Sequence, residues 1–171
     1  MARIAALAAF LAFVVVPAAR GEGPDGAPAE QAQESFPYEV VVTATKLNVR
    51  AGPSTNHAWI FGVARGDRLT VHGREGKWLR IAPPEGCRVW IHADLVEAAP
   101  NGEAVRVAKD ACNLRAQPGP NADVVGQVGT GVELDVAAHR EDWYQVEAPA
   151  GVFVWVHGDF VASPETSPGT G

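Results

Sequence analysis

From residue 38 onward the chain is built of short runs in which apolar and polar side chains alternate. Arg68-Leu69-Thr70-Val71-His72 sends Leu69 and Val71 to one face and its polar neighbours to the other, the period-two pattern of a half-buried strand. Trp78-Leu79-Arg80-Ile81 and Arg88-Val89-Trp90-Ile91-His92 read the same way. Val40 to Thr43 and Leu47 to Val49 are β-branched-rich runs expected to be strands. Gly or Pro stands at each corner: Arg50-Ala51-Gly52-Pro53-Ser54, Gly66-Asp67, Gly73 to Gly76 and Pro83-Pro84-Glu85-Gly86. The stretch between Ser54 and Gly66 has no clear alternation and reads as a long irregular loop. No helical periodicity occurs, so the pattern predicts an all-β fold of small barrels or rolled sheets.

The pattern is then repeated. Residues 40 to 96 and 105 to 161, offset by 65 without a gap, are identical at 19 of 57 positions. Val89-Trp90-Ile91-His92-Ala93-Asp94-Leu95-Val96 returns as Val154-Trp155-Val156-His157-Gly158-Asp159-Phe160-Val161. One unit has been duplicated whole. In the copy, strands are expected at Glu133 to Val136, Trp143 to Val146 and Phe153 to His157. Each unit holds fewer than 60 residues, where a single core is only marginally stabilising, so the two are expected to pack together.

The ends lie outside this pattern. Arg3, thirteen apolar residues from Ile4 to Val16, and Pro17-Ala18-Ala19 have the three zones of a secretory signal peptide, and the apolar run is shorter than the ~20 residues that span a bilayer. The expected organisation is a signal peptide over 1–21, a disordered linker over 22–37, repeat one over 38–97, a short linker over 98–102, repeat two over 103–162 and a disordered tail over 163–171. A periplasmic or secreted product follows, with no membrane attachment after signal cleavage.

Charge divides the repeats. Residues 38 to 96 carry eight Lys and Arg against five Asp and Glu, and residues 103 to 162 carry four against nine. The formal net charge is -6 and no long basic run exists, which argues against a nucleic-acid partner.

Alternation also predicts where the tryptophans point. With Leu79, Ile81, Val89 and Ile91 inward, Trp78 and Trp90 share an outer face. A hairpin turning about Pro84 would set them directly opposite each other, and one about Pro149 would do the same for Trp143 and Trp155. Such pairs are either cross-strand staples or an amphipathic ligand platform, and the two roles are compatible. His92-Ala93-Asp94 and His157-Gly158-Asp159 supply two potential ligands each, short of the three or four that a zinc site needs, so local backbone capping is the expected role and no metal or other cofactor is expected. Asn48, Arg50, Asn113 and Arg115 read as turn-stabilising residues.

Leu47-Asn48-Val49-Arg50-Ala51-Gly52-Pro53-Ser54, the Trp78 segment and the Val89 to Val96 segment, repeated from Cys112-Asn113-Leu114-Arg115-Ala116-Gln117-Pro118 onward, resemble the bacterial SH3 (Src-homology-3-like) domain family in two tandem copies. The copy departs from the pattern at Cys112, matching Leu47, and at Gln117, matching Gly52, where a positive φ would favour Gly. The resemblance implies two tandem SH3-like small β-barrels, extracytoplasmic placement and binding of cell-wall material or proteins. It also implies a groove lined by Trp78, Trp90, His92 and Leu95, with Asp94 nearby. In the copy the groove residues are Trp143, Trp155, His157 and Phe160, with Asp159.

No catalytic set is expected. Of the four serines, Ser35, Ser163 and Ser167 fall in the terminal segments and Ser54 lacks a Gly-x-Ser-x-Gly context, and Glu141 and Asp142 alternate to opposite faces. Cys87 and Cys112, the two cysteines of a chain read as exported, are the candidate pair for a disulfide, with two buried free thiols as the other reading. The expected function is a non-enzymatic binding or scaffolding protein that engages peptidoglycan or an envelope protein or peptide. The alternative is an accessory or regulatory subunit that binds a partner enzyme and has no affinity for the wall.

Overall fold

A computed structural model describes residues 35–164, which belong to one compact unit. The expected signal peptide and most of the flanking linker and tail lie outside the described residues. The first repeat forms β1 (Tyr38–Val42), β2 (Lys46–Arg50), β3 (Trp59–Ala64), β4 (Arg68–Glu75), β5 (Trp78–Ile81), β6 (Arg88–His92) and β7 (Val96–Ala98). The second repeats them as β8 (Ala104–Val107), β9 (Cys112–Arg115), β10 (Val124–Val128), β11 (Glu133–Arg140), β12 (Trp143–Glu147), β13 (Val154–His157) and β14 (Val161–Ala162). A single 3-10 turn, Ala93–Leu95 or Gly158–Phe160, joins the last two strands of each set.

The fold is all-β, with two SH3-like barrels, and each barrel is assembled from both repeats. The first sheet runs β14-β1-β4-β5-β13-β2-β3, and the second runs β7-β8-β11-β12-β6-β9-β10. The order is the same in both, but the closing strands have changed places. β13 lies between β5 and β2 of the first repeat, and β6 lies between β12 and β9 of the second.

This corrects the expected hairpins. Turns do form where Pro and Gly signalled them: the Cys87 amide donates to the Pro84 carbonyl at 2.9 Å, Val152 donates to Pro149 at 3.3 Å, and Gly86 and Gly151 supply positive φ. A turn reverses the chain without naming the sheet it re-enters, and here each turn delivers its strand to the other barrel. Trp78 therefore faces His157, not Trp90, and Trp143 faces His92, not Trp155.

Two cores follow from the alternation. Leu69, Val71, Leu79 and Ile81 pack with Val154 and Val156 from the second repeat, whereas Val89 and Ile91 pack with Val105, Leu114 and Val146. Each fully buried Val or Ile contributes about 1.5–3 kcal/mol by leaving water, so each core depends on side chains lent by the other repeat. Val125 and Ala148 touch both cores.

Cys87 belongs to the first core and Cys112 to the second, and both are buried free thiols. The expected disulfide is thus set aside: the two positions replace Val152 and Leu47 of the partner repeats as small apolar side chains. Cys112 Sγ donates to the Lys109 carbonyl at 3.0 Å, and burial pushes the Cys87 thiol up to about 11.

β3 falls where the sequence pattern predicts a loop. Its outward positions include Trp59, half exposed, and Gly62 within it brings no side chain, so no two-fold alternation shows in the sequence. Gly52 is another correction. Its φ is not positive; a Cβ there would fall 2.5 Å from the His57 ring, so the glycine is needed for close approach. In the copy, Gln117 is accommodated because Ala122 stands where His57 does.

Candidate functional site

Strand exchange builds two matching grooves, each across both repeats. The first is a cleft of about 280 Å³ lined by Lys46, Leu47, Asn48, Arg50, Thr55 and Trp78 from the first repeat and by His157 and Phe160 from the second. The other, about 450 Å³, is lined by Ala111, Cys112, Asn113, Arg115, Pro120 and Trp143 from the second repeat and by His92 and Leu95 from the first, and Asp94, Lys109 and Asp110 extend its lining. Shifted by 65, the first lining becomes the core of the second. A larger cavity, about 610 Å³, lies elsewhere, lined from β1, β14, β4 and β5, and holds none of the expected site residues.

At the heart of each groove an imidazole meets an indole edge to face. The Trp78 and His157 ring centroids are 5.1 Å apart at 84°, and those of His92 and Trp143 are 5.0 Å apart at 88°. His157 also lies 5.6 Å from the Phe160 ring, which the second groove replaces by Leu95. His92 Nδ1 accepts the Asp94 amide at 3.2 Å and His157 Nδ1 accepts the Asp159 amide at 3.4 Å, so each histidine caps its own 3-10 turn. A neutral ring that accepts at Nδ1 carries its proton on Nε2, available as a donor. The carboxylates of Asp94 and Asp159 stand 3.6 and 3.7 Å from the same nitrogens. Asp159 also pairs with Lys77 at 3.4 Å, an exposed contact of little energetic weight.

The loop beside each groove is held by its arginine. Arg50 Nη1 donates to the His57 carbonyl at 2.8 Å and to that of Thr55 at 3.1 Å, and Arg115 Nη1 donates to the Ala122 carbonyl at 2.6 Å. These arginines stabilise turns, as their position after Asn48 and Asn113 suggested. Asn113 accepts from Gln127 at 2.9 Å. The two loops meet where the Ala58 amide donates to Asp123 Oδ2 at 2.6 Å.

Of the expected groove residues, Trp78, His157 and Phe160 come together, as do Trp143, His92, Leu95 and Asp94. Trp90 and Trp155 do not line either cleft. Trp155 lies across from Arg80 and Arg50, and Trp90 across from Gln145 and Arg115, on the same sheet faces as the grooves. Lys46, Asn48, Lys109 and Asp110 are lining residues that sequence reasoning did not include. Asp110, held by the Thr130 hydroxyl at 2.8 Å and amide at 3.1 Å, has its carboxyl pulled below the usual range, chiefly by the hydroxyl. No group of three or more His, Cys, Asp or Glu side chains able to hold a metal ion occurs among the described residues.

Electrostatically the grooves differ. The strands and turns of the first barrel, 38–81 and 154–162, hold seven basic and four acidic side chains, whereas 88–147 holds five and ten. The first cleft has basic residues and no acid in its lining.

A barrel whose closing tryptophan strand, Asn-x-Arg loop and 3-10 turn recur at fixed order defines a class, and the chain belongs to the bacterial SH3 domain family, which matches residues 45–97 and 109–162. The chain is also similar, at 22% identity over 137 residues, to the "Putative N-acetylmuramoyl-L-alanine amidase YrvJ" of Bacillus subtilis strain 168. That match covers 75% of this chain and 26% of the relative, so the chain spans about a quarter of the relative's length.

Proposed function

We propose that the chain is an exported, non-enzymatic binding or scaffolding protein that engages cell-envelope material, either peptidoglycan or an envelope protein, through its two crossed grooves. The observation that carries this reading is the reuse of the same positions to build two clefts, each with an indole, an imidazole and an apolar wall. Rings of this kind accept an extended, partly apolar peptide or a glycan-linked stem, and the histidine Nε2 proton offers one directed polar contact. The first groove, with Lys46 and no acid in its lining, favours an anionic ligand and loses affinity as salt rises; the second, inside an acidic barrel, does not. The name of the relative, a "Putative N-acetylmuramoyl-L-alanine amidase", supports the wall as the setting.

The relative also favours a second reading, because a segment like this one makes up only a quarter of a much longer chain: an accessory subunit that binds a partner enzyme and leaves wall affinity to it. Pull-down of the purified mature protein on isolated sacculi, washed free of protein, separates the two. Retention supports direct binding; recovery in the supernatant, with retention restored by an envelope extract, supports the accessory role.

A further inference from the structure

The exchange of closing strands crosses between barrels just after Cys87 and just after Val152, residues that stay in their own repeats' cores. The first residues past the crossover are Arg88 and Phe153, and at this position the repeats differ in kind. Phe153 lies 5.1 Å from the His72 ring, with the Arg80 guanidinium carbon 4.7 Å above its own ring, while Arg88 stands directly opposite Glu147. The receiving residues differ in step: the second repeat has Ala137 and Gln145 where the first has His72 and Arg80, and the first has Ala82 where the second has Glu147.

Self-closure in the same register would reverse every one of these contacts. Arg88 would come beside Arg80 and His72 with no carboxylate opposite, and Phe153 would face Glu147 with no cation over its ring. We propose that Arg88 and Phe153 are the specificity residues of a strand-recognition surface: the first barrel selects an aromatic-led closing strand, and the second selects an arginine-led one. Cation–π stacking and an opposite-charge cross-strand pair on one side, against a like-charge contact on the other, amount to about a tenfold preference for exchange. Elsewhere the closing strands are too alike to choose, since Val-Trp-Ile-His and Val-Trp-Val-His present the same faces. Glycine at 73 lets Arg80 take part, because its guanidinium lies 3.1 Å from where a Cβ would sit.

The test is a cross-link in the full chain, cleaved after folding at a protease site introduced into residues 99–102. Trp78→Cys combined with His157→Cys should form a disulfide that joins the two fragments on a non-reducing gel. Trp78→Cys with His92→Cys should form about tenfold less bond, confined to the amino-terminal fragment. Adding Arg88→Phe and Phe153→Arg should reverse these yields. Arg88→Ala with Phe153→Ala, milder in its effect on folding, should bring them close to equal. A 78–92 bond that dominates with the natural residues overturns the proposal, as does a preference for 157 that persists in either lead-residue variant.

Discussion

Trp78 and His157 stand edge to face, 5.1 Å between ring centroids, although one opens the fifth strand of the first repeat and the other ends the closing strand of the second. Their twins, Trp143 and His92, meet in the same way at 5.0 Å. The grooves are therefore properties of the pair of repeats. A double-mutant cycle on unfolding free energy should give a coupling of about 0.5–1.5 kcal/mol between Trp78→Ala and His157→Ala, and none between Trp78→Ala and His92→Ala. Urea melts of the four variants check it.

Strand exchange makes the two cores one cooperative system. The full chain should unfold in a single transition, and residues 38–97 or 103–162 expressed alone should melt lower and less cooperatively, because each lacks the closing strand it receives in the whole. Calorimetry of the three proteins decides the point. Equal melting temperatures for the halves and the whole would mean that each half closes on its own strand.

The buried Cys87 thiol carries a pH signature. Cys87 ionises in the unfolded chain near 9.0 and in the fold near 11, so its burial favours the folded state below pH 9 and this contribution is lost as pH rises through 11. Between pH 8 and pH 10 the protein should lose roughly 1 kcal/mol more stability than its Cys87→Ala variant. Both thiols should react with a titrating reagent only after unfolding, two per chain without prior reduction.

At Gly52 a methyl group would meet the His57 ring. Gly52→Ala should destabilise by about 1–3 kcal/mol, and adding His57→Ala should recover most of that, reproducing the combination of larger residue and Ala122 that the second repeat already uses. Thermal melts of the single and double variants measure it.

Much of this architecture is legible in the sequence because burial imposes a period of two. Leu69, Val71, Leu79, Ile81, Val89 and Ile91 are all buried, and the 65-residue offset leads to both grooves. The destination of β6 and β13 is not legible from that pattern. Alternation fixes which face a side chain takes, and the Pro and Gly corners fix where the chain turns, but neither fixes the neighbouring strand. The signal was present only in the places where the repeats disagree: Arg88 against Phe153, Arg80 against Gln145, Ala82 against Glu147. β3 escaped for a different reason. It is an edge strand with Trp59 in solvent and Gly62 within it, so its burial is too uneven to print a pattern. Likewise, the cysteines read as a pair because they are two in a sequence that opens with a signal-peptide pattern, whereas packing places them in separate cores.

Sacculus binding by two folded double variants shows whether the grooves proposed to bind are crossed. Trp78→Ala with His157→Ala damages one groove twice and leaves the other whole; Trp78→Ala with His92→Ala damages both. The first variant should retain about half of the wild-type capacity at saturation, and the second should retain almost none. If instead the Trp78 and His92 variant keeps half and the Trp78 and His157 variant keeps almost none, each repeat closes its own groove and the crossed arrangement is wrong.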